Sequence, residues 1–260
     1  MKILCVLVLV VIIVMIVVFT SCIKREEETK NEKELVSKIT MVSANSDVVM
    51  IHIGGSGKCT IDWGDGTSEI QTLSSYPSQM YSHNYIGVST RPITIVYENI
   101  THIAFFEQFT SLNVSGCTTL ESMTCYDTQL TNLDISGCTA LHSLTCYDTQ
   151  LTNLDVSGCT SLFFLKCKFN SQLANLDVSG CNALLNLDCC YNQLTNLDVS
   201  CCKKLTLLIC RYNQLEAVAL DNLFSSLHSE SKYQTILIDG NPGVDGCNQS
   251  IAKDKGWDVY

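Results

Sequence analysis

Cysteine is the residue in this chain best equipped for chemistry, and the sequence holds 16 of them. Ten fall into two columns: Cys117, Cys138, Cys159, Cys181 and Cys202, then Cys125, Cys146, Cys167, Cys189 and Cys210. Thiols at this density suggest a disulfide framework or a zinc site. Their spacing argues against both. Neighbours in a column are about 21 residues apart, the period of a stacked repeat. Adjacent stacked strands hold Cβ atoms about 4.8 Å apart, whereas a disulfide needs about 3.8 Å and a dihedral near 90°. Each column also has an odd membership. Zinc needs a tetrahedron of ligands, and a column supplies a line. The columns are therefore expected to be free thiols packed as small hydrophobes, with no metal and no cofactor. Cys190 stands apart, at an outward position beside Cys189, as a reactive thiol or one half of an off-column pair.

Acid–base chemistry has two candidate locations. Asp134, Asp155, Asp177 and Asp198 recur in phase, followed by Ser136, Ser157, Ser179 and Ser200. Stacked carboxylates repel unless they accept hydrogen bonds or bind a cation. Bonding to Ser or backbone is expected, with calcium as the alternative. The second location is Asp62, Asp65 and His83. Asp beside Gly reads as turn chemistry, the carboxylate bonding nearby N–H groups. His83 has no Ser, Cys or Glu placed beside it and reads as structural. No nucleophile–base pair or metal-ligand spacing emerges. No catalytic residue is assigned, and the chain reads as a non-enzyme.

Binding is left as the chemistry on offer. Outward positions that vary from repeat to repeat form a candidate stripe of Tyr126, Asp127, Tyr147, Asp148, Lys168, Phe169, Tyr191, Arg211 and Tyr212. Tyr and Arg are enriched where proteins bind proteins. The leading partner is a protein on a host or bacterial surface. Glycan is the alternative, because tyrosines also stack on sugars.

The elements that must position these columns are strands. From Phe109 to about Leu220 the chain repeats Leu-x-x-Leu-x-Cys, then Leu-x-x-Leu-x-Val/Ile-x-x-Cys. Alternation puts Leu, Cys and Val on one face. One turn cannot bury its apolar side alone, so turns must stack. Gly116, Gly137, Gly158 and Gly180 sit where a positive φ is cheap. Cys201 replaces that glycine in the last copy, which predicts strain or a different turn. Asn170, Asn192 and Asn213 can bond neighbouring backbone, a ladder weakened where Thr128 and Thr149 stand instead. Residues 168–172 carry one extra residue, so a bulge is expected there.

L-x-x-L-x-C-x-x-N-x-L resembles the leucine-rich-repeat pattern, and the layout is similar to internalin-like bacterial surface proteins. The expected fold is mainly β: a leucine-rich-repeat β-solenoid with two parallel strand ladders over residues 100–220. A small β module precedes it at 40–99 as an N-terminal cap. There Ile61-Asp62-Trp63-Gly64-Asp65-Gly66-Thr67 and His83-Asn84-Tyr85 resemble the signature of PKD-type β-sandwiches. That resemblance implies an Asp-Gly hairpin turn with the His-x-Tyr strand packed against it. A short α/β cap at 221–260 follows the solenoid, with Trp257 as a lid. The string from Ile236 to Trp257 resembles the caps of the same lipoproteins.

The N-terminus reads as an export signal. Met1 and Lys2 precede an apolar run from Ile3 to Phe19. Phe19-Thr20-Ser21-Cys22 then resembles a bacterial lipobox, with Phe19 where an aliphatic residue is usual. The resemblance implies a signal peptide at 1–21, lipidation of Cys22, and membrane attachment through that lipid. Residues 22–39 are a charged tether. Glu26, Glu27 and Glu28 resemble the surface-export signal of Gram-negative outer membrane lipoproteins; retention on the periplasmic side is the alternative. The formal net charge of −10 over 260 residues argues against a nucleic-acid partner, which needs clustered Lys and Arg.

Overall fold

The alternation becomes strand wherever it runs. In Ser143–Tyr147, Leu144 and Cys146 are fully buried while Ser143, Thr145 and Tyr147 face outward. The computed structural model describes residues 37–44, 46–75, 78–106, 109–126, 128–229 and 234–260. The expected signal peptide, Cys22, the tether up to residue 36, and Asp127 lie outside the described residues.

From Ser37 onward the chain forms one unit. Strand β1 (Ser37–Ser43) begins slightly ahead of the end expected for the tether, and is followed by β2 (Ser46–Asp62), β3 (Ser68–Thr72), β4 (Gln79–Ser89) and β5 (Pro92–Phe106). β2 pairs antiparallel with β3, β4 and β5. The 15-residue β5 crosses the boundary expected at residue 99. Its first half pairs antiparallel with β1, and its last residues pair parallel with the first repeat. The N-terminal β module and the solenoid therefore share one sheet.

The repeats then alternate between two ladders. The first runs from β5 through β7 (Ser122–Tyr126), β9 (Ser143–Tyr147), β11 (Phe164–Lys166), β13 (Asn186–Asp188) and β14 (Leu207–Ile209), all parallel. The C-terminal segment extends it with β15 (Gln234–Leu237) and β16 (Trp257–Val259). The second ladder consists of β6 (Phe109–Asn113) with β8 (Asn132–Asp134), and β10 (Asn153–Asp155) with β12 (Asn175–Asp177), again parallel. The two-ladder leucine-rich-repeat solenoid is thus present, with the second ladder shorter and interrupted.

Glycine conformation changes at that interruption. Gly116 and Gly137 take φ of 72° and 75°, as expected, whereas Gly158 and Gly180 do not enter the left-handed region. Gly180 is needed for space instead: a Cβ there would fall 1.6 Å from the Ser157 carbonyl oxygen. Cys201 also keeps an ordinary φ, so of the two outcomes expected there it shows the different turn, without the left-handed backbone of Gly116 and Gly137. The extra residue near 170 is absorbed as an exposed turn at Ser171 and Gln172, closed by Leu173 N–H to Asn170 C=O at 2.9 Å, and not as a strand bulge.

Every cysteine among the described residues is a free thiol. In one column the thiols reach back a turn: Cys138 Sγ donates to Val114 C=O and Cys181 Sγ to Val156 C=O, each at 3.2 Å. A cysteine therefore fills the space of a small hydrophobe and adds a weak donor to a buried carbonyl. Burial pushes the Cys138 and Cys181 thiols up to about 12. Cys190 departs from its expected outward position. It is buried, and burial with its contact to the Asp188 carboxylate pushes its thiol up to about 12. A reactive thiol needs the opposite shift.

The C-terminal segment both continues and closes the solenoid. Helix α1 (Ala217–Ser226) buries Leu220, Leu223 and Phe224 against the last turn. Helix α2 (Ser250–Lys253) leads into β16. Trp257 is buried and donates its indole N–H to His228 C=O at 2.8 Å. Among the described residues no helix is long and apolar enough to cross a membrane.

Candidate functional site

The site grows from the turn that closes each strand of the first ladder. Two residues past the inward Cys, or past Ile238 in the last turn, stand Asp148, Phe169, Tyr191, Tyr212 and Gly240. All five have positive φ, between 52° and 74°. One residue further, the chain turns inward to Thr149, Asn170, Asn192, Asn213 and Asn241, all buried. These amides hold the corner. Asn192 Nδ2 donates to Cys167 C=O and Cys189 C=O at 2.9 Å each, and its Oδ1 accepts the Asn170 N–H at 2.9 Å. Asn213 and Asn241 repeat the two donations, while their Oδ1 atoms accept the Leu194 and Leu215 N–H instead. Asn170 Oδ1 also accepts from Thr149. Thr128, by contrast, buries a hydroxyl with no partner among the described residues, so the expected weakening falls at Thr128 and not at Thr149, which stays bonded to Asn170.

Asp and Gly suit the left-handed region. Phe and Tyr do not: it costs a bulky residue roughly 1–2 kcal/mol. Stacking offsets part of that cost. Phe169 and Tyr191 lie 4.6 Å apart at 14°, and Tyr191 and Tyr212 lie 4.4 Å apart at 11°. A stacked pair contributes about 0.5–1.5 kcal/mol. The far face of Tyr212 is closed by Gly240, where a Cβ would fall 2.4 Å from the ring. The three rings stay 43–47% exposed at their edges. Beside them runs a groove of about 530 Å³, lined also by Gln193, Gln214 and Asp148.

The candidate stripe is therefore two stacks in adjacent columns. Tyr126 and Tyr147 stack at 5.2 Å and 10°, one position nearer the strand, with Phe106 edge-on to Tyr126. In later turns Lys168, Cys190 and Arg211 occupy that nearer column. Arg211 pairs with Asp239 at 2.8 Å, and Lys168 lies 4.0 Å from Asp188. Phe169, Tyr191 and Tyr212 are brought together with Asp148 along the groove. Gln193, Gln214, Gly240 and Asn241 were not singled out from sequence, although Ile238-Asp239-Gly240-Asn241 aligns with Cys210-Arg211-Tyr212-Asn213.

The opposite corner is built from the outside. Asp134, Asp155, Asp177 and Asp198 each accept the backbone N–H two residues on, at 2.8–3.0 Å. The aspartate ladder is thus turn chemistry. Among the described residues no cluster of His, Cys, Asp and Glu is placed to hold a metal. In the N-terminal β module, Asp62 accepts the Gly64 N–H, and Asp65 accepts the Thr67 N–H and hydroxyl. His83 Nε2 meets Asp65 Oδ2 at 2.8 Å and stacks on Trp63, while the Tyr85 hydroxyl donates to Trp63 C=O at 2.7 Å. The His-x-Tyr strand does pack on the Asp-Gly turn. Hydrogen bonds from Thr67, then His83, hold the Asp65 carboxyl well below the usual carboxylate range.

No family model matches the chain, and no curated protein matches it. Among solved structures, the functional domain of InlJ from Listeria monocytogenes, described as including a cysteine ladder, is 29% identical with a TM-score of 0.37. The match covers 55% of this chain and 35% of that one, so this chain spans about a third of that structure's length.

Proposed function

We propose that this protein is a non-catalytic recognition module, tethered to the outer face of a bacterial outer membrane through a lipid on Cys22. Its solenoid presents the aromatic stripe to a protein partner. The observation that carries the reading is the stack of Phe169, Tyr191 and Tyr212, held exposed in a strained backbone conformation. Strain of this kind collects at contact sites and persists only where the surrounding fold enforces it. Here the buried Asn ladder does the enforcing.

Protein is favoured over glycan by how the rings are used. A sugar stacks on an open aromatic face. Both faces of Tyr191 are taken by Phe169 and Tyr212, and Tyr212 is closed on the other side by Gly240. Edges and phenol hydroxyls remain, which suit a protein surface. The N-terminal β module, with its PKD-like turn, serves in this reading as the cap of the solenoid.

The test is a surface-protein interaction screen run beside a glycan array, using wild type and a variant with Tyr126, Tyr147, Tyr191 and Tyr212 changed to Ala. Protein partners lost in the variant support the reading. Glycan hits alone, or partners retained by the variant, refute it. Palmitate labelling that disappears in Cys22→Ser supports the anchor, and labelling that persists refutes it.

A further inference from the structure

Resting on that reading, we propose that the groove beside Phe169, Tyr191 and Tyr212 takes a proline-rich peptide segment of the partner, with a basic residue docked at Asp148. The backbone along the groove decides the class of ligand. Phe169, Tyr191 and Tyr212 already donate their N–H groups to Cys190, Arg211 and Asp239 carbonyls at 2.8–3.0 Å. Gln193 and Gln214 donate theirs to Leu173 and Leu194 at 2.9 Å. No sheet edge is open there, so a peptide cannot add as a strand. Its backbone must be met by side chains and water.

Polyproline II is the peptide conformation that loses least under that condition. It has no internal hydrogen bonds, and proline brings no N–H to satisfy. Aromatic-lined grooves are where such segments dock. Tyr191 and Tyr212 supply ring edges and hydroxyls. Gln193 and Gln214 line the groove and are exposed, so their amides are free to donate to the carbonyls of a ligand. From Asp148 to Gly240 the column crosses four strand spacings, roughly 19 Å at about 4.8 Å each. That length holds about six residues of polyproline II at about 3.1 Å per residue.

Charge orients the ligand. Asp148 is the one charged residue lining the groove, and its carboxylate has no partner among the described residues. Arg211 and Lys168 lie beside the groove but are engaged with Asp239 and Asp188. A Lys or Arg next to the proline run therefore meets Asp148 at the N-terminal end of the column.

The experiment is fluorescence anisotropy on the full chain with a labelled peptide of about ten residues, arginines followed by a proline run. Controls replace the prolines with Ser and Thr, or the arginines with uncharged residues. Saturable binding of the Arg–Pro peptide is expected, weaker binding of the uncharged proline peptide, and none of the Ser/Thr control. Tyr191→Asn and Tyr212→Asn should weaken it at least about tenfold. Asn accepts the left-handed conformation, so these variants should keep the wild-type melting temperature, which separates lost contact from lost fold. Asp148→Asn should weaken the arginine peptide and leave the uncharged one unchanged. No binding by wild type, equal binding of the Ser/Thr control, or wild-type affinity in Tyr191→Asn would overturn the proposal. Protein partners that need the tyrosines, found without any proline-peptide binding, would overturn the peptide class and leave the recognition reading standing. Absence of both would overturn both.

Discussion

The two corners of the solenoid close the same repeat by opposite means. After the first ladder the chain turns around a buried amide, with Asn170, Asn192, Asn213 and Asn241 each bonded to carbonyls of two turns. After the second ladder it turns around an outward carboxylate bonded to its own backbone two residues on, with one contact between turns, from Asn113 Nδ2 to Asp134 at 3.3 Å. The inward caps tie turn to turn along the ladder, whereas the outward caps at Asp155, Asp177 and Asp198 each close their own turn. The first corner can therefore hold Phe169, Tyr191 and Tyr212 in a conformation that their side chains disfavour. The second holds only Asp, Ser and Gly or Cys. Its ladder is also the interrupted one.

The difference can be broken at its strongest point first. Asn192→Leu orphans the buried Asn170 N–H and takes one of two amide donors from each of the Cys167 and Cys189 carbonyls, which keep Asn170 and Asn213. A loss of roughly 2–4 kcal/mol in denaturant unfolding is expected, since one buried orphan costs about 1–3 kcal/mol and each lost hydrogen bond about 0.5–1.5 kcal/mol. Next is Cys167→Ser, which swaps a fully buried thiol for a hydroxyl among apolar neighbours. It should cost about 1–3 kcal/mol, and a neutral result would mean that the column tolerates a stronger donor. Thr128→Asn should add about 1 kcal/mol by extending the amide ladder over a turn whose buried hydroxyl has no partner among the described residues. Asp177→Ala, at the outward corner, should cost no more than about 1 kcal/mol. If it matched Asn192→Leu, the contrast between the corners would be wrong.

The smallest effect belongs to Asp65 and appears only in acid. Its folded pKa is lowered, by Thr67 first and His83 second. The stability it adds is present above its unfolded value of about 4 and is lost as pH falls from there toward the folded value. Wild type should therefore melt progressively lower below about pH 4, and Asp65→Asn should flatten that slope. An unchanged slope would remove Asp65 from the acid limb.

Much of this contrast is visible in the residue columns before any coordinates. Leu, Cys and Val recur at buried phases because stacking demands the same side of every turn. Asn170, Asn192 and Asn213 announce an inward cap, and Asp before x-Ser announces an outward one. Other features depend on depth, which a one-dimensional pattern does not encode. Cys190 reads as outward by counting, yet its neighbours close over it. Gly158 and Gly116 share a position and differ in backbone, because the stacking of the second ladder changes between their turns. The stripe reads as one row, whereas Tyr126 and Tyr147 precede the turn and Phe169, Tyr191 and Tyr212 lie within it. That shift of one position turns a strand face into the wall of a groove.

The central claim is that the exposed rings are kept for contact and not for stability. Its most direct measurement is equilibrium unfolding of the triple variant Phe169→Asn, Tyr191→Asn, Tyr212→Asn. Relief of strain, roughly 1–2 kcal/mol per residue, should match or exceed the loss of two stacked pairs at about 0.5–1.5 kcal/mol each, leaving the variant at least as stable as wild type. A loss of about 3 kcal/mol or more would contradict the claim and make the stack a structural spine.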